Sequence, residues 1–436
     1  IKQANFRYPP TKKIINLSPA NLRKQGTLYD IPIALGLLAA SGQVATTHFA
    51  NSIFIGELSL GGEIKAVAGA VLIADWASKN GFKQIFVPEA NCTELDLISG
   101  IEVIPICNLK ELVAILNCQI LPKFKLKTTN QPSAKALYDS QWHLLAGRHL
   151  LKRALMIVAA AGHNLLLQGP PGTGKTTAAK AIRCLLPVLN FREKLELRKI
   201  YSLLKEANEI REHRPVRVVN TGITRRQLIG GGRQKLPGEI HLAHAGILII
   251  DEFLEFPRQI SDSLRQPLEQ TSDSWPNFTL IAATNPCPCG YLGDTERVCK
   301  CEAYRVRQYQ NRLSGALQDR FDLQMWLSRR QKQMKTTEQI SLKVARQKVE
   351  LARRRQQNRQ ESVLNSQLMP KQLNQVLKIR CEAADLLEAA GRRLDLSLRG
   401  KLKMQRVART IADLDGKTAV GKNQILEALQ FRQLSN

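Results

Sequence analysis

Eight residues, Gly169-Pro-Pro-Gly-Thr-Gly-Lys175-Thr176, constrain this chain more than any other stretch. They fit G-x-x-x-x-G-K-[ST], a loop whose backbone N–H groups wrap phosphate oxygens. The apolar run Asn164-Leu-Leu-Leu-Gln168 ahead of it predicts a buried parallel strand, and Thr177-Ala-Ala-Lys-Ala-Ile182 after it starts a helix. A glycine-rich turn without a ligand has no need of that context. The helix N-terminus adds the positive end of its dipole to the loop. The candidate nucleotide-binding residues are therefore Gly169, Pro170, Pro171, Gly172, Thr173, Gly174, Lys175 and Thr176, with Thr177 opening the helix. Lys175 is placed to reach the β and γ phosphates, and the Thr176 hydroxyl to hold Mg2+.

A phosphate loop needs carboxylates on a neighbouring strand. Ala245-Gly-Ile-Leu-Ile-Ile250 reads as that strand and ends in Asp251-Glu252. Asp251 suits the Mg2+ shell, and Glu252 suits orienting or deprotonating an attacking water. A third apolar run, Phe278–Ala283, leads into Thr284-Asn285. Asn285 is then the polar side chain beside the γ-phosphate. ATP and Mg2+ are the expected cofactors, and Lys175, Asp251, Glu252 and Asn285 the expected catalytic set.

The chain has 436 residues, enough for two or three domains, with 64 basic against 37 acidic side chains and a net charge of +27. Folding does not require that excess. It points to a polyanionic partner, nucleic acid before an anionic membrane surface, against the plainer reading of a solvated basic surface. No apolar run approaches the ~20 residues that span a bilayer, so no membrane role is expected. No signal peptide is visible, and the first residue is Ile, so part of the N-terminus is expected to be missing. Nine cysteines without secretory features suit reduced thiols in the cytoplasm.

Residues 1–120 read as a first α/β unit: a helix over Ile31–Ala40, strands at Ser52–Leu58, Gln84–Pro88 and Ile101–Pro105, and helices over Ala68–Asn80 and Leu109–Asn117. Residues 121–140 are basic, proline-bracketed and aperiodic, a linker. Residues 141–330 hold the nucleotide motifs, with a helical pattern over Glu193–Glu212. His241 and His244, three apart, read as packing or as a metal pair. Cys287, Cys289, Cys299 and Cys301 lie within fifteen residues. They could make a tetrahedral Zn2+ site, although C-x-C spacing strains chelation; packed free thiols or a redox pair are the alternatives. Residues 331–436 read as a basic helical segment and a helical lid. Across 329–360 there are 11 Lys/Arg against 2 Asp/Glu, on a solvated helix or one facing DNA phosphates.

Two resemblances extend this reading. Gly56-Glu-Leu-Ser-Leu-Gly-Gly-Glu-Ile-Lys-Ala-Val-Ala-Gly69 with Val87-Pro-Glu-Ala-Asn91 resembles the proteolytic domain of Lon-type proteases. Their Ser–Lys dyad is lost, since Ile33 stands at the serine position and Gly69–Ile73 is apolar. A structural or substrate-guiding collar without peptidase activity is implied. The motif order of the second unit, through Leu264–Glu269, Asn285-Pro-Cys-Pro-Cys-Gly290 and Leu313–Asp322, resembles magnesium-chelatase-like AAA+ ATPases, and within them the bacterial ComM/YifB group.

That resemblance implies an α/β fold: a Lon-like α/β domain, a P-loop AAA+ core with a parallel sheet, and a C-terminal helical lid closing over nucleotide. It implies a hexameric ring that hydrolyses ATP and migrates DNA branch points during natural transformation. Arg320 in Asp319-Arg-Phe-Asp322 matches the arginine that a neighbouring subunit supplies to the γ-phosphate, with Arg312 in reserve; the plainer reading is a helix-end ion pair. Arg399, with Arg406 second, matches the lid's γ-phosphate-reporting position. The family's pore hairpin is shortened between Glu269 and Phe278, and Val218–Thr221 departs from its His-His-Thr pattern. A chelatase motor subunit and a nucleotide- or DNA-binding scaffold without turnover are the competing functions.

Overall fold

The computed structural model describes residues 1–9, 12–16, 28–121, 141–206, 212–232, 236–269, 276–329, 340–360 and 363–432. The chain forms two compact units, Ile1–Gln131 with Asn190–Arg211, and Pro132–Leu189 with Glu212–Asn436. The linker over 122–140 and residues 270–275 of the shortened pore segment between Glu269 and Phe278 lie outside the described residues.

In the first unit, β1 (Ser52–Phe54), β4 (Gln84–Pro88) and β5 (Glu102–Ile106) form a parallel sheet in the order β1–β4–β5. Two short strands, β2 (Glu57–Leu58) and β3 (Ile64–Lys65), form an antiparallel hairpin. β4 is buried on both faces, as parallel strands are. Phe86 joins a cluster with Ile31, Leu35 and Leu112, while Ile85 and Val87 join Val71, Ala74 and Leu95 on the other side. The two stretches that carry the Lon-like resemblance touch each other. Buried Asn91 accepts from the Val67 N–H and donates to the Val67 carbonyl, both at 3.0 Å. Ile33 is half-buried on the helix Asp30–Ala40.

One segment leaves the nucleotide unit. The helix Phe191–Ser202, capped by a reciprocal Asn190–Glu193 box, belongs to the first unit. Arg198 pairs with Asp96, and Lys199 pairs with Asp75 at 2.8 Å. The expected continuous block 141–330 is therefore interrupted. Leu189 N–H donates to Glu212 O at 2.9 Å, which closes the neck of the excursion.

The second unit is built on a five-stranded, wholly parallel sheet. Its strands are β6 (Leu165–Gln168), β7 (Val216–Val219), β10 (Ile247–Ile250), β11 (Thr279–Thr284) and β12 (Leu323–Trp326), in the order β12–β6–β11–β10–β7. Two short strands, β8 (Gly230–Gly231) and β9 (Leu236–Pro237), pair beside it. Alternate residues face opposite layers. Leu165, Leu167, Ile247, Ile249 and Ile281 pack with the helices His149–Ala161, Leu342–Gln360 and Leu398–Leu414. Leu166, Leu248, Ile250 and Leu280 pack with Phe253 and Phe321. This is the α/β core expected from the motifs. Among the described residues, no helix is long and apolar enough to cross a membrane.

The basic stretch forms the helix Leu342–Gln360, and its buried stripe is Leu342, Ala345, Val349, Ala352 and Gln356. Several of its arginines are used internally. Arg346 donates to Cys184 O at 2.6 Å, Arg353 to Ala159 O at 2.9 Å, and Arg359 pairs with Asp413 at 2.9 Å. Lys343, Lys348 and Arg354 remain exposed. The C-terminal part is helical, as expected, and its helix Leu398–Leu414 docks beside the start of β6. Lys403, on the helix Leu398–Leu414, donates to the carbonyls of Asp319 and Phe321 and pairs with buried Asp322 at 3.4 Å.

Candidate nucleotide site

Parallel α/β sheets place ligands beyond the carboxyl ends of their strands, and four of the expected residues converge there. β6 runs directly into Gly169. A Cβ at this position would fall 2.2 Å from Leu327 O, so only glycine lets the loop start beside the end of β12. Gly174 caps the helix Lys175–Ala181 at φ 77°, a left-handed conformation that costs other residues energy. Within the loop, Thr173 Oγ1 donates to Pro170 O at 2.9 Å. Arg148 braces it from outside through Thr173 O, and Arg329 donates to Pro171 O at 3.0 Å. No short motif marks these two arginines, and only the fold brings them to the loop.

Lys175 is buried, and its Nζ donates to Gly169 O at 2.6 Å, Pro170 O at 2.9 Å and Asn285 Oδ1 at 3.0 Å. Burial pulls its pKa down to about 8, against the raising pull of Asp251 and Glu252. Thr176 Oγ1 donates to Asp251 Oδ2 at 2.6 Å. Glu252 sits at φ 51°, exposed, with its N–H on Asp251 Oδ1 at 3.0 Å. Left-handed backbone at a non-glycine residue costs about 1–3 kcal/mol and clusters at functional sites. Thr177 is exposed on the first turn of the helix.

These residues fit a nucleotide triphosphate with Mg2+. The loop supplies a buried ammonium held by neutral oxygens, and the hydroxyl–carboxylate pair matches the hard oxygen donors that Mg2+ takes.

Arg320 lies elsewhere. Its carbonyl accepts from Asn164 Nδ2 at 3.0 Å, at the start of β6. The strand spans Leu165–Gln168, so its own phosphate loop is about 13 Å further along. Arg320 pairs with Glu269. Its pKa is lowered by burial first, and then by the charges of Arg399 and Arg265. The structure therefore groups Arg399 with Arg320. Position 399 lies one turn before Lys403, which anchors that helix to the Asp319 and Phe321 carbonyls. Arg406 donates to Leu368 O. Arg312 donates to Leu254 O at 3.0 Å and pairs with Glu255 at 3.5 Å, just after the Asp251-Glu252 pair.

The two histidines use ring nitrogens locally. His241 Nδ1 accepts from Gly238 N–H at 3.3 Å, and His244 Nδ1 from Asn277 N–H at 3.1 Å. Among the described residues, the one group of three or more His, Cys, Asp or Glu side chains placed for a metal is Cys287, Cys289, Cys299 and Cys301. Burial raises the Cys287 thiol pKa; burial also works to raise that of Cys289, but backbone N–H groups at Tyr291 and Lys300 overcome it and lower it.

Three stretches match described families: 1–91 matches subunit ChlI of Mg-chelatase, 141–335 magnesium chelatase subunit ChlI, and 339–432 the ChlI C-terminal part. The chain is 36% identical to the uncharacterized protein YifB of Escherichia coli, with 100% of this chain and 87% of YifB aligned. The chain belongs to the magnesium-chelatase-like ComM/YifB family. It is 34% identical to the competence protein ComM of Haemophilus influenzae, over 100% of this chain and 88% of that protein. The magnesium-chelatase 38 kDa subunit of Rhodobacter capsulatus is 24% identical over 64% of this chain and 83% of the subunit. The chain is thus an AAA+ ATPase-type motor protein of this family, for which ATP and Mg2+ are the cofactors.

Proposed function

We propose that the chain hydrolyses ATP as a hexameric ring and uses the cycle to move along single-stranded or branched DNA in the cytoplasm. The observation that carries the ATPase part is the convergence of Lys175, Asn285, Thr176 and Asp251 through direct hydrogen bonds. Lys175 would exchange its carbonyl partners for phosphate oxygens, and Asn285 would stay beside it. Thr176 and Asp251 would hold Mg2+, which supplies charge neutralisation on the phosphates when bound. Glu252, exposed beside Asp251, would take the proton of the attacking water.

The ring reading is supported by Arg320, which stands too far from its own loop and would serve a neighbour's. The DNA reading is supported by the charge of +27 and by a full-length relative named a competence protein. A chelatase subunit fits less well, because that relative aligns over 64% of this chain. The test is ATP hydrolysis with and without single-stranded and branched DNA, beside Glu252→Gln. DNA-stimulated turnover that disappears in the variant supports the motor. Tight ATP binding without turnover under every condition leaves a nucleotide-binding scaffold.

A further inference from the structure

Between the end of β11 at Thr284 and the helix Ala303–Gln310, the chain carries no helix or strand. Unstructured loops beyond ~12–15 residues are uncommon in compact domains and need something to hold them. Here the four cysteines fold back on one another. Cys287 Sγ lies 3.5 Å from Cys289 Sγ and 3.6 Å from Cys299 Sγ, and Cys289 Sγ lies 3.6 Å from Cys299 Sγ. All four sulfurs, with Cys301, lie within 4.8 Å of one another.

We propose that Cys287, Cys289, Cys299 and Cys301 hold one structural Zn2+ that fixes the loop carrying Asn285 against the phosphate loop. Four thiolates at the usual zinc–sulfur distance of about 2.3 Å stand about 3.8 Å apart at the corners of a tetrahedron. The observed spacing is close to that edge. A disulfide brings two sulfurs to about 2.05 Å and leaves the others out, whereas here three sulfurs form a nearly equilateral triangle. An iron–sulfur cluster sets iron and sulfide between its thiolates and needs a wider cage. Cys287 is buried and the other three are half-buried, and four sulfur ligands leave no open coordination position, as in structural sites. Backbone N–H groups point at the sulfurs, Leu292 at Cys287 over 3.4 Å and Cys301 at Cys299 over 3.5 Å. Such outer bonds orient and stabilise metal-bound thiolates.

The location gives the site its role. Asn285, on the Lys175 ammonium, is two residues before Cys287. Gly290, inside the cysteine loop, approaches Pro171 so closely that a Cβ would lie 2.8 Å from its ring. Arg329 bridges the same two loops, 3.1 Å from Asp294 and 3.0 Å from Pro171 O. The metal would therefore brace the phosphate loop from behind without touching nucleotide. Binding exchanges the four thiol protons for the metal and releases them to solvent, with no change of oxidation state.

The test is metal content of the full chain purified without chelator, by elemental mass spectrometry, with Co2+ exchange as a second readout. One zinc per chain is expected, together with the visible absorption of tetrahedral Co2+–thiolate after exchange. Cys299→Ser with Cys301→Ser should lose both while circular dichroism shows the rest of the fold intact. If that variant does not fold, thiol labelling of the unmodified chain decides: the four cysteines should be protected until a strong chelator is added. Substoichiometric metal in zinc-replete preparations, a mapped disulfide among the four, or full metal retention in the double variant would overturn the proposal. Metal content is read without ATP, so a zinc-loaded chain with no turnover would sink the motor reading alone.

Discussion

Lys175 Nζ and Asn285 Oδ1 are hydrogen-bonded across 3.0 Å although 110 residues separate them in the chain. The bond joins the phosphate loop at the end of β6 to the end of the neighbouring strand β11, whose register sets Gln168 opposite Thr284. In the proposed ATPase, Asn285 would act where charge builds on the γ-phosphate, not where the adenosine end binds. Asn285→Ala should lower kcat by roughly 10²-fold and leave the Kd for ATP within a few-fold. Steady-state hydrolysis beside fluorescent-nucleotide titration checks the split. An equal loss in both would assign Asn285 to binding.

The Lys175 ammonium has a pKa near 8 because burial outweighs Asp251 and Glu252. Phosphate binds the protonated form. Below pH 8 the side chain is already charged; above it, binding must take up a proton. Affinity for ATP should thus fall about tenfold between pH 7 and pH 9. Isothermal titration in buffers of different ionisation enthalpy should show proton uptake at pH 8.5. Lys175→Ala should bind weakly with no such dependence.

Much of this was legible in the sequence because its motifs are contiguous. The loop at Gly169–Thr176, the Asp251-Glu252 pair and Asn285 each follow an apolar run, so strand ends and site residues are read together. The first unit was legible for the same reason, through runs such as Gln84–Pro88. What could not be read depended on distant contacts. Helicity over Phe191–Ser202 was visible in its pattern, but its place in the first unit rests on Asp75 and Asp96, about a hundred positions away. The surroundings of Arg399 likewise depend on Lys403 finding the carbonyls of Asp319 and Phe321. Arg148 and Arg329 carry no local signature at all.

Arg320 stands at the opposite end of β6 from its own loop, so complementation should reveal whether it serves another copy. Lys175→Ala and Arg320→Ala should each lower turnover by roughly 10³-fold or more when pure. Mixed one to one, roughly a quarter of randomly assembled interfaces would pair an intact loop with an intact arginine. Activity should therefore reappear on mixing. Mixtures as inactive as the pure variants, under conditions where subunit exchange is verified, would assign Arg320 to its own subunit's structure.

Asp322 is buried and lies 3.4 Å from Lys403, itself buried. Burial alone would raise the Asp322 pKa, but Lys403, His163 and the Asn164 N–H more than offset it and hold it well below the usual carboxylate range. A depressed folded pKa contributes stability that is full above the unfolded value near 4 and is lost as pH falls through the folded value. Breaking one side of a buried pair costs about 3–5 kcal/mol, because it strands the other charge. Asp322→Asn should therefore destabilise the second unit by about that amount at pH 7 and flatten its loss of stability below pH 4. Adding Lys403→Met should recover part of the loss, since no buried charge is then left alone. Urea unfolding of the four variants of this cycle, from pH 3 to 7, measures the coupling. A double variant no more stable than Asp322→Asn would mean that the carboxylate acts through His163 and Asn164 instead of Lys403.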